Sequence, residues 1–175
     1  IGRAVLKFQP EAKVTALDFS SEMLELAHQK QSENAHGLNY IRGDAMAPPF
    51  PKEYFEAVTV GYGLRNVADL SACIKNILSL LKPSGVLVCL DVGKVNIPVI
   101  AQLNRFYFFK IVPLIGKWLM PGQEMFDYLP HSSINYPDQK KLKKILLEEG
   151  FQKVDVYDFV FGASTIHVAQ KPASS

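Results

Sequence analysis

Short apolar runs and amphipathic stretches alternate along the first half of the chain. Residues 1–8 have the pattern of a helix end, and residues 13–17 form a short strand that stops at Asp18. Ser20 or Ser21 then caps a helix with acids in its first turns and Met23, Leu24 and Ala27 on one face. A second strand over residues 38–41 ends at Gly43-Asp44, and a third over residues 57–60 ends at Gly61. Asp69 or Ser71 caps the next helix, in which Ile74, Ile77, Leu78 and Leu81 keep helical spacing until Lys82-Pro83-Ser84-Gly85 stops it. Residues 86–90 are apolar at every position, the pattern of a parallel strand covered on both faces, and they end at Asp91. Strand and helix in alternation predict βαβ units and a sheet wound on both sides.

The end of the chain breaks that rhythm. Pro137 opens a helix carrying Leu142, Ile145, Leu146 and Leu147, which Gly150 closes. Residues 153–159 and 164–169 then read as two strands joined by residues 160–163, a link that permits only an antiparallel hairpin. The fold class expected is therefore α/β, a Rossmann-like and mostly parallel sheet with a C-terminal antiparallel hairpin. Between positions 92 and 136 lies an insert of different character. Residues 92–123 contain no acid, but Lys94, Arg105, Lys110 and Lys117 stand among Phe106, Tyr107, Phe108, Phe109, Trp118 and several aliphatic residues. Either a core helix pair with a solvated basic edge or a lid facing an anionic lipid surface accounts for that composition.

The 175 residues, 48% hydrophobic and 21% charged, suit one soluble domain spanning 1–175 rather than a disordered segment. A net charge of +2 is too small to argue for a nucleic-acid partner. Cys73 and Cys89 each lie in an apolar stretch without metal-ligand spacing, so buried thiols in a reducing compartment are expected and no metal is assigned. The four histidines (His28, His36, His131 and His167) form no metal pair either, and His167 alternates within a strand as a structural residue does. A start at Ile1-Gly2-Arg3 is expected of a piece of something longer.

In an open α/β sheet, ligands bind outside the carboxyl ends of the strands. Four ends qualify: Asp18-Phe19, Asp44-Ala45, Gly61-Tyr62-Gly63 and Asp91-Val92-Gly93. An acid after an early strand can accept both ribose hydroxyls of a nucleoside, and another can accept from an adenine amino group. Asp18 and Asp44 are equally explicable one at a time as turn or cap residues. The loop Gly61-Tyr62-Gly63-Leu64-Arg65-Asn66 puts a fixed cation and an amide at the same edge. An Arg that braces the loop through backbone carbonyls is the other reading.

These residues resemble a known family. Leu17-Asp18, Met23-Leu24 and the loop Gly61-Tyr62-Gly63-Leu64-Arg65-Asn66-Val67 are similar to the ubiquinone/menaquinone biosynthesis C-methyltransferases, class I enzymes that use S-adenosylmethionine. The likeness continues through Leu81-Lys82-Pro83 with Gly85, Tyr107 to Gly116, Tyr128-Leu129 with Ser132, Pro137-Asp138-Gln139 and Glu149-Gly150-Phe151. It implies that Asp18 binds the ribose, that Asp44 and Ala45 flank the adenine, and that Gly61 lines the cofactor. Arg65, Asn66 and Tyr128 would serve the quinol, with the insert guiding its prenyl tail and Asp91 as a candidate relay. The family's first strand and Gly-rich loop correspond to positions before Ile1, so a domain incomplete at its N-terminus is expected. The chain also departs from the family pattern with Gly61 in place of Ser, Ser84 in place of Gly, and Leu90-Asp91-Val92-Gly93-Lys94-Val95 in place of a stretch with Glu-Phe-Ser-Lys-Pro.

The resemblance implies C-methylation of a prenylated quinol, either demethylmenaquinol or a polyprenyl-methoxy-benzoquinol, with S-adenosyl-L-methionine as cofactor. It also implies peripheral contact with a membrane, at a bacterial cytoplasmic face or at the matrix face of the mitochondrial inner membrane. Other quinone-biosynthesis enzymes and a second copy of the chain are the partners expected. The alternative is a catalytically silent methyltransferase-like scaffold that holds lipid quinone or partner enzymes.

Overall fold

A computed structural model describes residues 1–30, 37–95, 97, 102, 106, 111 and 136–173. They fall into two compact units, Ile1–Lys52 and Glu53–Ser175.

The first unit contains α1 (Gly2–Phe8), β1 (Val14–Asp18), α2 (Ser21–Gln29) and β2 (Leu38–Arg42). The two strands pair in parallel from Val14 opposite Leu38 to Asp18 opposite Arg42. Ser20 caps α2 by accepting the Met23 N–H at 3.2 Å, and its hydroxyl donates to Glu22 at 2.7 Å. Those bonds satisfy a helix-end N–H and place an acid in the first turn, as the sequence signal requires. The expected apolar face of α2 is narrower than its spacing suggests. Leu24 and Ala27 are half-buried, but Met23 is 56% exposed. A two-stranded sheet has little surface for a helix to cover, and Leu38 is the buried hydrophobic residue of this unit among the described residues.

The second unit contains β3 (Phe55–Gly61), a 3₁₀ turn (Leu64–Asn66), α3 (Leu70–Leu80), β4 (Leu81–Val92), α4 (Gln139–Glu148), β5 (Lys153–Phe159) and β6 (Ser164–Gln170). Its sheet runs in the order β3-β4-β6-β5. β3 and β4 are parallel, while β6 is antiparallel to both β4 and β5. The C-terminal hairpin forms as expected, with β6 as its inner strand. Asp69 caps α3 and Asp138 caps α4, each through one carboxylate oxygen.

Three expectations need correction. Leu81 is the first residue of β4, opposite Phe55, rather than the end of the preceding helix. Pro83 disfavours helical geometry at Lys82, so the chain turns extended at once. Ser84 takes φ +61, and the strand pairing shifts register between Phe55 and Ala57. Residues 86–90 are not uniformly buried. Leu87, Cys89 and Asp91 are fully buried opposite Ala169, His167 and Thr165, whereas Val86, Val88 and Leu90 on the other face are half-buried. In α4, Leu142 and Leu146 face the core, Ile145 lies at its margin, and Leu147 is exposed.

Candidate active site

At the carboxyl ends of β1 and β2 stand Asp18, Asp44 and Ala45, all exposed. Asp18 accepts the Ser20 N–H at 2.9 Å and Asp44 accepts the Met46 N–H at 2.8 Å, both through Oδ1. These are Asx turns, so the turn reading of both residues is realised. That does not exhaust them, because an ionised carboxylate has a second acceptor oxygen. The donor chemistry at this end, two exposed carboxylates following adjacent parallel strands, fits the ribose and adenine of a nucleoside cofactor. A Cβ at Gly43 would lie 2.7 Å from Leu17 Cδ1, the tip of a side chain that can turn aside.

In the second unit the edge is built by the loop after β3. Gly61 is exposed, and the Tyr62 N–H donates to Leu90 O at 2.8 Å, carrying the ladder one residue past the strand. Tyr62 holds φ +56, an uncommon conformation for a residue with a side chain. Leu64, 2% exposed, anchors the 3₁₀ turn in the core. The turn delivers Arg65 beneath Tyr62, with its guanidinium carbon 5.3 Å from the ring centroid. Asn66 Nδ2 donates to Tyr62 O at 3.4 Å.

Among the described residues the Arg65 side chain donates to no loop carbonyl. Its partner is Asp91, with Nη1 to Oδ1 at 3.4 Å and side-chain exposures of 8% and 0%. Asp91 Oδ1 also accepts the Val92 N–H at 2.8 Å. Burial raises the Asp91 carboxyl above its usual range, although the Val92 N–H and the Arg65 charge pull it back. The sequence names both residues, but it cannot pair groups 26 positions apart, one in the 3₁₀ turn and one on β4.

Tyr136 and Gln139 are the residues that the sequence undervalues. The Tyr136 phenol is buried beside Cys89, Asp91 and Arg65, and burial pushes its ionisation far up. The Cys89 thiol is raised to about 12, chiefly by burial. Cys73 and Cys89 are thus the buried free thiols expected. Gln139 clamps three backbone groups: Oε1 accepts the Lys94 N–H at 3.0 Å, and Nε2 donates to Lys94 O and Gly162 O, both at 3.1 Å. His167 Nε2 lies 3.0 Å from Gln139 O. A carbonyl only accepts, so Nε2 carries the proton. His167 is fully buried, and that burial lowers its basicity. Pro137-Asp138-Gln139 stands out in the sequence as a helix start and as part of the family likeness, neither of which shows the clamp. Tyr128, His131 and most of the 92–136 insert lie outside the described residues.

Parallel strands whose carboxyl ends carry acids, a Gly loop and an Arg-Asn pair, closed by an antiparallel hairpin, define a class I methyltransferase fold. Solved structures agree. A S-adenosylmethionine-dependent methyltransferase from Mesorhizobium loti superposes with TM-score 0.65 at 17% identity, covering 97% of this chain and 85% of that one. The cyclase SpnF superposes with TM-score 0.70 at 16% identity, covering 99% and 72%. That a cyclase shares the fold means the fold alone does not fix the reaction. The sequence is more specific: residues 3–171 match the ubiE/COQ5 methyltransferase family, and the chain belongs to it. It is 48% identical over 164 residues to a demethylmenaquinone methyltransferase of Leptospira interrogans, a match covering 91% of this chain and 66% of that protein. It is 36% identical over 163 residues to the Staphylococcus haemolyticus protein of the same name, covering 93% and 68%. The chain thus spans about two thirds of the length of these relatives.

Proposed function

We propose that the protein carrying this chain transfers a methyl group from S-adenosyl-L-methionine to a ring carbon of demethylmenaquinol. The observation that carries the reading is the 48% identity to a demethylmenaquinone methyltransferase across 91% of the chain. A benzoquinol acceptor of ubiquinone biosynthesis is the neighbouring substrate within the same family.

The cofactor, when bound, supplies an electrophilic methyl on a sulfonium sulfur. Asp18 would accept from the ribose hydroxyls, Asp44 and Ala45 would flank the adenine, and Gly61 would let the backbone approach closely. Arg65 acts on the acceptor. A ring carbon of a hydroquinone becomes nucleophilic as a neighbouring hydroxyl loses its proton, and a fixed cation lowers that hydroxyl's pKa. The ring carbon gains the methyl as the sulfur–methyl bond breaks, and loss of the ring proton restores aromaticity. Arg65 holds the phenolate oxygen and Asn66 orients beside it, keeping carbon and methyl in near-attack geometry. Arg65 is too weak an acid to serve as the base, so the proton leaves through a water held by the pair.

A prenyl tail partitions into lipid, so the protein works at a membrane surface, with Tyr128 and the basic, aromatic composition of residues 92–136 assigned to ring and tail. Of the two membrane faces expected, the cytoplasmic face of a bacterial membrane belongs to this proposal. Contacts with other quinone-biosynthesis enzymes or a second copy of the chain belong to the same proposal. The test is acceptor choice: labelled methyl should pass to demethylmenaquinol in detergent or vesicles and not to short soluble phenols. Equal transfer to soluble phenols would remove the prenylated acceptor, and transfer to none would leave the scaffold reading.

A further inference from the structure

The Arg65–Asp91 pair is built unlike a surface ion pair. Both side chains are buried, yet they meet through one 3.4 Å contact. A buried guanidinium–carboxylate pair recovers its desolvation cost best through two parallel hydrogen bonds. Here, among the described residues, Arg65 Nε and Asp91 Oδ2 have no hydrogen-bond partner, and neither has the Tyr136 hydroxyl. Thr165 Oγ1 and His167 Nδ1 on the facing strand β6 are unpartnered as well, so five unfilled polar atoms belong to one cluster at the carboxyl end of β4.

The groups facing Asp91 are Arg65 from the 3₁₀ turn, Cys89 on the same strand, Tyr136 ahead of α4, and Thr165 and His167 from β6. Burial keeps the thiol and the phenol neutral and favours neutral His167. Arg65 and Asp91 are the guanidinium–carboxyl pair of the cluster, in contact at 3.4 Å. A carboxylate that gripped both sides of the guanidinium would consume its donors. A one-point grip fixes the plane and leaves the other nitrogens able to donate.

We propose that Asp91 is a positioning residue for methyl transfer: it holds Arg65 by Nη1 and partly offsets its charge, leaving Nε to donate to the hydroxyl oxygen of the quinol acceptor. The inference rests on the function proposed above and deepens it. It has a consequence that a packing role lacks. Removing the Asp91 charge strengthens the positive field on the acceptor hydroxyl, so that hydroxyl ionises at lower pH while its orientation is lost.

The test uses the intact protein with saturating S-adenosylmethionine and demethylmenaquinol, comparing wild type, Asp91→Asn and Asp91→Glu across pH. Asp91→Asn should lower kcat about tenfold or more, with KM for the acceptor changed by less than about threefold. Its rise of kcat with pH should move to lower pH by about half a unit or more. Asp91→Glu should keep the wild-type midpoint and recover most of kcat. A variant with wild-type kcat and midpoint overturns the inference, as does a slow variant with an unmoved midpoint that Glu does not rescue. A wild type that transfers no methyl sinks the function itself, which is a separate failure. Should Asp91→Asn not fold, ¹⁵N-labelled arginine in the wild type gives the answer. The Arg65 Nε–H resonance must move when an unreactive quinol analogue binds, and an unmoved resonance overturns the inference.

Discussion

Gly93→Ala is the substitution for which the structure allows the most definite forecast. A Cβ at Gly93 would lie 2.8 Å from Gln139 Nε2 and closer still to the Gly162 carbonyl oxygen. A carbonyl cannot swing aside as a side-chain tip can, so the loop after β5 must back away from β4. That displacement breaks the Gly93 N–H to Ala163 O bond of 3.0 Å and the Gln139 Nε2 to Gly162 O bond of 3.1 Å. Two such bonds are worth about 1 kcal/mol each, and leaving the buried Gln139 amide short of a partner adds about 1–3 kcal/mol. The sum, roughly 3–5 kcal/mol, lowers the melting temperature by about 10 °C for a chain of this size. Thermal unfolding of the intact protein, followed by circular dichroism, reads this directly. The same substitution on a Gln139→Ala background should cost less than on the wild type, because the clamp is already gone. A melting temperature within about 2 °C of wild type would refute the packing described at this junction.

Four other outcomes are expected. Arg65→Ala should cut turnover by orders of magnitude while leaving S-adenosylhomocysteine affinity nearly unchanged, and near-normal turnover would remove Arg65 from the mechanism. Asp18→Ala should weaken cofactor binding by about 1–3 kcal/mol in a calorimetric titration, the loss of a charge-assisted acceptor, and unchanged affinity would show the ribose misplaced. The native protein should show Cys73 and Cys89 unreactive toward a thiol reagent at pH 8, since both are buried and Cys89 is raised to about 12. His167 has a folded pKa below its unfolded value, so its contribution to stability is complete above about pH 6.5 and fades as pH falls below that. Wild type should therefore lose stability faster than His167→Gln between about pH 6.5 and 5, and parallel curves would contradict the assignment.

Much of the frame was legible because each element carries its own signal. Ser20, Asp69 and Asp138 are caps whose partners lie three residues away, and the short link after Phe159 leaves the chain no alternative to a hairpin. Leu81 misled because its spacing continues the α3 stripe, and the restriction that Pro83 places on Lys82 acts only on the backbone. Met23 and Leu147 misled for another reason: periodicity shows which residues share a face, not how much sheet lies beneath it. The site divided along the same line. Acids and glycines at strand ends can be found from position alone. The grip of Asp91 on Arg65 depends on which strands are neighbours and in what register, as does the burial of Tyr136 against Cys89. The Gln139 clamp joins residues 45 and 23 positions apart, a separation at which composition says nothing.

The measurement that bears most directly on the central claim is product analysis after the intact protein is incubated with methyl-labelled S-adenosylmethionine and demethylmenaquinol. The account predicts one labelled methyl on a ring carbon, formed by wild type and nearly absent with Arg65→Ala. A methyl on a hydroxyl oxygen, or equal product from Arg65→Ala, would contradict it.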